Sequence, residues 1–167
     1  MMVRFFLIAL LAPLVGQANP IERQIPLRSP VITHSTFGGW GWSHCGGAKN
    51  IIEVKYVSVE PDPPQRGQDL TVKFVGDVSK TVKKGSWVDV TVKLGLVPIL
   101  TKSFDFCEQA HKTNITDRCP YDPGTYAVER TVTLPEEIPP GKFLINARGF
   151  NADKHELFCL DIVADFS

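Results

Sequence analysis

At 167 residues, with 43% hydrophobic and 22% charged residues, the chain is long enough for one globular domain with a substantial core. Lysine plus arginine and aspartate plus glutamate both number 18, so the formal net charge is zero. That balance excludes a strong electrostatic pull toward nucleic acid or an anionic membrane surface.

The first segment, 1–18, reads as a signal peptide. Arg4 supplies the positive end, Phe5 to Val15 an apolar run, and Gly16-Gln17-Ala18 a small-residue cleavage site. The run is too short for a bilayer core of roughly 30 Å, and no later segment is long and charge-free enough to span one. Removing Arg4 with the peptide leaves 17 basic against 18 acidic residues, still near neutral. Residues 19–36 hold three prolines and no apolar period, which predicts a flexible leader or a removable prosegment.

The domain is expected over 37–167. Ile51 to Val59 mixes β-branched residues with Tyr56 and ends at the breaker P-D-P-P-Q-R-G. Asp69 to Gly76 puts Leu70, Val72 and Phe74 on one face, and K-K-G at 83–85 turns the chain. In the next strand Val88, Val90, Val92 and Leu94 share one face, and Trp87, Asp89, Thr91 and Lys93 the other. From Leu94 to Leu100 the alternation collapses into L-G-L-V-P-I-L. Pro98 cannot donate to a ladder, so this piece is barred from a sheet interior. Tyr126 to Leu134 alternates, Lys142 to Phe150 puts Phe143, Ile145 and Ala147 on one face, and Phe158, Leu160, Ile162, Ala164 and Phe166 fall in register. The sum is about seven strands with regular turn signals and no convincing helix, the pattern of an all-β sandwich.

An even count of cysteines after a signal peptide predicts two disulfides among Cys45, Cys107, Cys119 and Cys159. Three pairings are open. A local Cys107–Cys119 bridge is the economical one, leaving Cys45 with Cys159. Zinc is the rival, but the spacing lacks the close ligand pairs of structural zinc sites. Asn114-Ile115-Thr116 is a glycosylation acceptor between Cys107 and Cys119. The histidines, at 34, 44, 111 and 155, show no metal-ligand spacing, and no nucleophile motif is present. His44 beside Cys45 suggests a thiol nucleophile, but an oxidised cysteine cannot serve. Glu136 and Glu137 point apart on extended backbone. Lys83, Lys84 and Lys102 are candidates to meet an anionic head group, against the plainer reading of solvated lysines. No enzyme activity, cofactor or metal is therefore expected. A tyrosine corner is also absent, since Leu157 stands two residues before Cys159.

Together, W-S-H-C-G at 42–46, V-D-V-T-V-K-L-G-L-V-P-I-L-T-K-S-F-D-F-C-E at 88–108, C-P-Y-D-P-G-T-Y at 119–126, L-P-E-E-I-P-P-G at 134–141 and F-C-L-D-I at 158–162 resemble the lipid-recognition (ML) family. Within it they look most like the fungal phosphatidylglycerol/phosphatidylinositol transfer proteins. The Niemann–Pick type C sterol carrier is more distant. The resemblance covers about residues 37 to 167. It implies an immunoglobulin-like β-sandwich whose two sheets part around a lipid, with bridges Cys45–Cys159 and Cys107–Cys119. The leader also resembles a prosegment of the transfer-protein branch. The sterol-carrier branch has a third bridge that this chain lacks, so sterol specificity is not carried over. A contribution to intracellular sterol transport stays a secondary expectation.

Strand parity then assigns the lipid-facing side chains. They are Val72 and Phe74; Val90, Val92 and Leu94; Leu96, Val97, Ile99, Leu100 and Phe104; Tyr126 and Val128; and Phe143 and Ile145. The resemblance adds Pro120 and Tyr121, because the sterol-carrier branch lines its tunnel around the matching Cys-Pro step. An acyl chain of sixteen carbons gains about 13 kcal/mol on leaving water, a gain the bilayer already offers. Exchange between an apolar cleft and a membrane is thus nearly neutral, and carrying needs no covalent chemistry. The expected protein is a monomeric lipid carrier of the secretory pathway, extracellular or in a vacuolar or lysosomal lumen. Its ligand is a phospholipid, with sterol as a further possibility, and it touches membranes transiently and binds no nucleic acid. The alternative is a lipid-sensing or protein-interaction sandwich without transfer activity.

Overall fold

The computed structural model describes residues 34–35, 39–113 and 119–167. The expected signal peptide, nearly all of the expected leader and the expected glycosylation acceptor Asn114 lie outside them. The described residues form β1 (His34–Ser35), β2 (Trp40–His44), β3 (Ile52–Glu60), β4 (Asp69–Val78), β5 (Trp87–Leu94), β6 (Val97–Asp105), α1 (Phe106–His111), β7 (Gly124–Thr133), β8 (Lys142–Phe150) and β9 (Glu156–Asp165). One sheet runs β1-β2-β9-β8-β5-β6 and the other β3-β4-β7. Their pairings are antiparallel throughout. The fold is therefore the expected all-β sandwich.

Differences from the sequence reading have local causes. β2 escapes it because glycine interrupts W-G-W and no β-branched run marks it. Trp40 and Trp42 still recur at period two and are both buried. The ladder also reaches back into the leader, where His34 pairs with Trp42 and Ser35 with Gly41. The expectation of no helix is corrected by α1. The Asp105 carboxylate accepts the Glu108 amide at 2.8 Å, and Lys112 pairs with Glu108 at 2.7 Å. Asp105-x-x-Glu108 is an N-terminal capping signal, sufficient for one and a half turns.

The β5–β6 hairpin turns on Gly95 and Leu96, since Leu94 pairs with Val97. Gly95 has φ +58°, the left-handed region that the first residue of a tight hairpin demands. β6 is the outermost strand of its sheet, as Pro98 requires, and a register shift opposite Val92 and Lys93 absorbs an extra residue. A second shift between Val54 and Tyr56 inverts the faces of β3, burying Val54 and leaving Tyr56 half exposed.

Two buried clusters hold the sheets together. One gathers Trp40, Trp42, Val54 and Leu160 where β3 lies over β2 and β9. The other gathers Ile51, Ile52, Val78, Val82, Tyr121 and Leu157 beside α1. Disulfides Cys45–Cys159 and Cys107–Cys119 close the framework, as expected, and no cysteine is free. The sheets meet at β3 and β9, whereas β6 and β7 end their sheets on the opposite side. There the inward-facing Val88, Val90, Val92 and Leu94 are only partly buried. That half of the core is unfilled.

Candidate functional site

The unfilled half is a cavity of about 360 Å³ between the sheets. Phe74, Gly76 and Val78 of β4, with Tyr126, Val128 and Arg130 of β7, form one wall. The register pairs Phe74 with Val128 and Gly76 with Tyr126, so both strands turn one face inward. A Cβ on Gly76 would meet the Phe74 ring at 3.0 Å and the Glu53 carbonyl at 3.3 Å, so a larger residue there requires the ring to shift. Val88, Val90 and Phe104 of β5 and β6 form the facing wall.

The inner end is closed by aromatic contacts. Phe106 meets Tyr121 at 6.5 Å and Phe158 at 6.3 Å between ring centroids, and Tyr121 meets Tyr126 at 5.8 Å. The Tyr126 hydroxyl donates to the Asp122 carbonyl at 2.9 Å, which satisfies the polar end while the ring faces the cavity. Backbone bonds between Val82 and Tyr121 at 2.8 and 3.0 Å fix this end, with Cys107–Cys119 beside it. Ile52, Ala110 and Thr113 complete it.

The charged side chain of the described lining is Arg130. Arg130 Nη1 donates to Gln109 Oε1 at 3.3 Å, linking β7 to α1. The lining contains no aspartate or glutamate. Among the described residues no cluster of histidine, cysteine and carboxylate side chains is placed to hold a metal ion. Among the described residues the lining is apolar apart from Arg130, Gln109 and a few hydroxyl groups. It can take up an apolar body and touch one anionic group.

Of the side chains assigned from sequence, Phe74, Val90, Phe104, Tyr121, Tyr126 and Val128 come together in this lining. Val72 stands opposite Arg130 in register, one step beyond Phe74, outside the lining. Val92 and Leu94 continue the face of Val90 toward the hairpin. Leu96, Val97, Ile99 and Leu100 are exposed on the hairpin tip and free edge, Leu96 at 95%. Phe143 is buried against Phe166 with centroids 5.6 Å apart, and Pro120 is exposed. Ile145 stands opposite Val92 and Ile162 in register, so it shares their inward face but lies outside this lining, and a separate depression of about 520 Å³ on the outer face of the six-stranded sheet is bordered by Thr91, Lys93, Asn146 and Asp161. Sequence reasoning missed the end wall of Ile52, Val82, Phe106, Gln109 and Ala110. It also passed over Arg130, although the period-two run from Tyr126 already put Arg130 on the inward face.

Known proteins share this sequence pattern and fold. The ML domain family matches residues 39–166. A phosphatidylglycerol/phosphatidylinositol transfer protein of Cryptococcus neoformans var. neoformans serotype D is 46% identical over 131 residues, 78% of this chain and 73% of the relative. One from Mycosarcoma maydis is 47% identical over 128 residues, 77% of this chain and 66% of the relative. Among solved structures, a Niemann-Pick type C2 protein from Japanese carpenter ant superposes with a TM-score of 0.57 at 14% identity, covering 75% of this chain and 98% of that one. Chicken MD-1, solved in complex with lipid IVa, gives 0.59 at 15% identity, covering 80% and 95%. At these identities the two structures speak to the fold alone.

Proposed function

The chain belongs to the ML domain family, and from that premise we propose that it carries phosphatidylglycerol or phosphatidylinositol between membranes, holding the acyl portion between its sheets. The observation that carries this reading is the apolar cavity bounded by Phe74, Val90, Phe104 and Val128, on the side where the sheets have free edges. Each methylene moved from bilayer to cavity exchanges one apolar environment for another. The roughly 0.8 kcal/mol it would lose in water is thereby avoided in transit. Loading and release then need no energy source beyond diffusion to a surface.

The exposed Leu96, Val97, Ile99 and Leu100 support the other half of the cycle. They make an apolar tip beside the free edge, suited to dip among lipid acyl chains while the protein is docked. Two disulfides accord with the secretory pathway or the extracellular space. Within that range we assign the protein to an extracellular, vacuolar or lysosomal site of action, as a monomer.

Native mass spectrometry of the secreted protein is expected to find one phospholipid bound. Vesicles labelled with phosphatidylglycerol or phosphatidylinositol are expected to lose label to unlabelled acceptors when the protein is added. A lipid-free protein that moves neither label would sink the carrier reading and favour a protein-binding module.

A further inference from the structure

The cavity lining carries one full charge. Arg130 projects from β7 among Phe74, Val90 and Val128, and its one side-chain hydrogen bond among the described residues is the 3.3 Å contact to the neutral Gln109 amide oxygen. No carboxylate of the described residues lies within ion-pair distance of it. A guanidinium has five N–H donors, and among the described residues one is used. On β6, Lys102 holds its ammonium over the Phe104 ring, 5.1 Å from the centroid, and likewise lacks a carboxylate partner among the described residues. Both strands end their sheets, so the two cations stand on the side where the sheets part.

An empty cavity lets water reach Arg130. Filling it with acyl chains removes that water and leaves a cation facing one neutral amide, a costly arrangement. A ligand bearing its own anion removes the cost, and a phosphate offers oxygens that match the fork of the guanidinium. We propose that Arg130 is the phosphate-recognising group of the cavity, selecting lipids that carry an anionic phosphodiester beside the acyl chains over neutral lipids of the same chains. This rests on the carrier reading above and adds the chemistry by which one lipid is preferred.

The test compares acyl-labelled phosphatidylglycerol with diacylglycerol bearing the same acyl chains, each presented to the full chain in vesicles of digalactosyldiacylglycerol, a neutral bilayer lipid without phosphate. The wild type is expected to take up phosphatidylglycerol at least about tenfold better, the scale of one charge-assisted hydrogen bond. Arg130→Gln is expected to lose about that factor for phosphatidylglycerol while diacylglycerol uptake stays within twofold, and Arg130→Lys, which keeps the charge but not the fork, to recover only part of it. A wild type that carries both lipids equally overturns the assignment without any variant being needed. So does an R130Q protein that keeps the full preference, or one that loses both lipids alike while remaining folded by near-ultraviolet circular dichroism. A wild type that carries neither lipid overturns the carrier reading and this assignment together.

Discussion

Asn151 is 2% exposed, yet its side chain ties the 81–86 loop to the end of β8. Its Oδ1 accepts the Lys83 amide at 2.9 Å, the Ser86 hydroxyl at 2.9 Å and the Ala152 amide at 3.1 Å, and its Nδ2 donates to the Thr81 carbonyl at 3.1 Å. The loop so held carries Val82, whose backbone pairs with Tyr121, and Ser86, whose carbonyl accepts the Phe106 amide at 2.9 Å. Asn151 therefore acts through others on the closed end of the cavity. Asn151→Ala strands several buried donors and is expected to cost about 3 kcal/mol in urea denaturation, with slower lipid transfer. A loss below about 1 kcal/mol would mean that water or a shifted loop replaces it. Two residues on, Asp153 is held well below the usual carboxylate value of 3.8, first by the hydrogen bond from Lys83 and then by His155. A depressed carboxyl contributes stability that is full above its unfolded pKa and fades as pH falls through the folded one. Asp153→Asn is thus expected to melt below the wild type at pH 6, with the gap narrowing as pH drops under about 3.8. A gap that is constant with pH would assign the effect to packing.

Elements differ in how far they can be read from their own residues. β5, β7, β8 and β9 each alternate cleanly, and the edge position of β6 follows from Pro98 alone. α1 and β2 were hidden, one because six residues give too few turns for a helical period, the other because glycine breaks its run. Register shifts are illegible in a different way, since nothing in V-K-Y marks the inversion between Val54 and Tyr56. The β5–β6 hairpin shows the same limit for function. Its apolar run is obvious, but whether Leu96 to Leu100 face the cavity or the solvent depends on a tight turn and a shift opposite Val92. Because the tip is exposed, Leu96→Ser with Val97→Ser is expected to change stability by less than about 0.5 kcal/mol. The same pair is expected to slow transfer between vesicles several-fold, with the amount of lipid bound at equilibrium unchanged. Equal transfer rates for variant and wild type would remove the hairpin from membrane docking.

On the scale of the whole molecule, a cavity is a place where folding stops short of close packing. The two buried clusters sit at β3–β9 and beside α1, and the side between β6 and β7 forgoes the contacts that would have filled it. Apolar alternation foretold a sandwich, but the same alternation serves a filled core and a hollow one. The hollow was legible through family resemblance rather than through period. A ligand that fills it binds the folded state alone, so stability must rise with loading. At a hundredfold excess over Kd that linkage is about 2.7 kcal/mol, or roughly 5–10 °C in Tm for a chain of this length. Val128, opposite Phe74 in register and lining the cavity, provides the converse. Val128→Phe puts a ring where an acyl chain would lie and replaces part of the missing packing. The lipid-free variant is expected to melt at or above the lipid-free wild type, because the added ring enters unoccupied space rather than a packed core. It is also expected to gain little when phosphatidylglycerol is supplied, whereas the wild type gains the full shift. Calorimetry on both proteins, stripped and loaded, measures the two effects together. If V128F gains as much as the wild type on loading, the lipid lies elsewhere and the space between the sheets is only a packing defect.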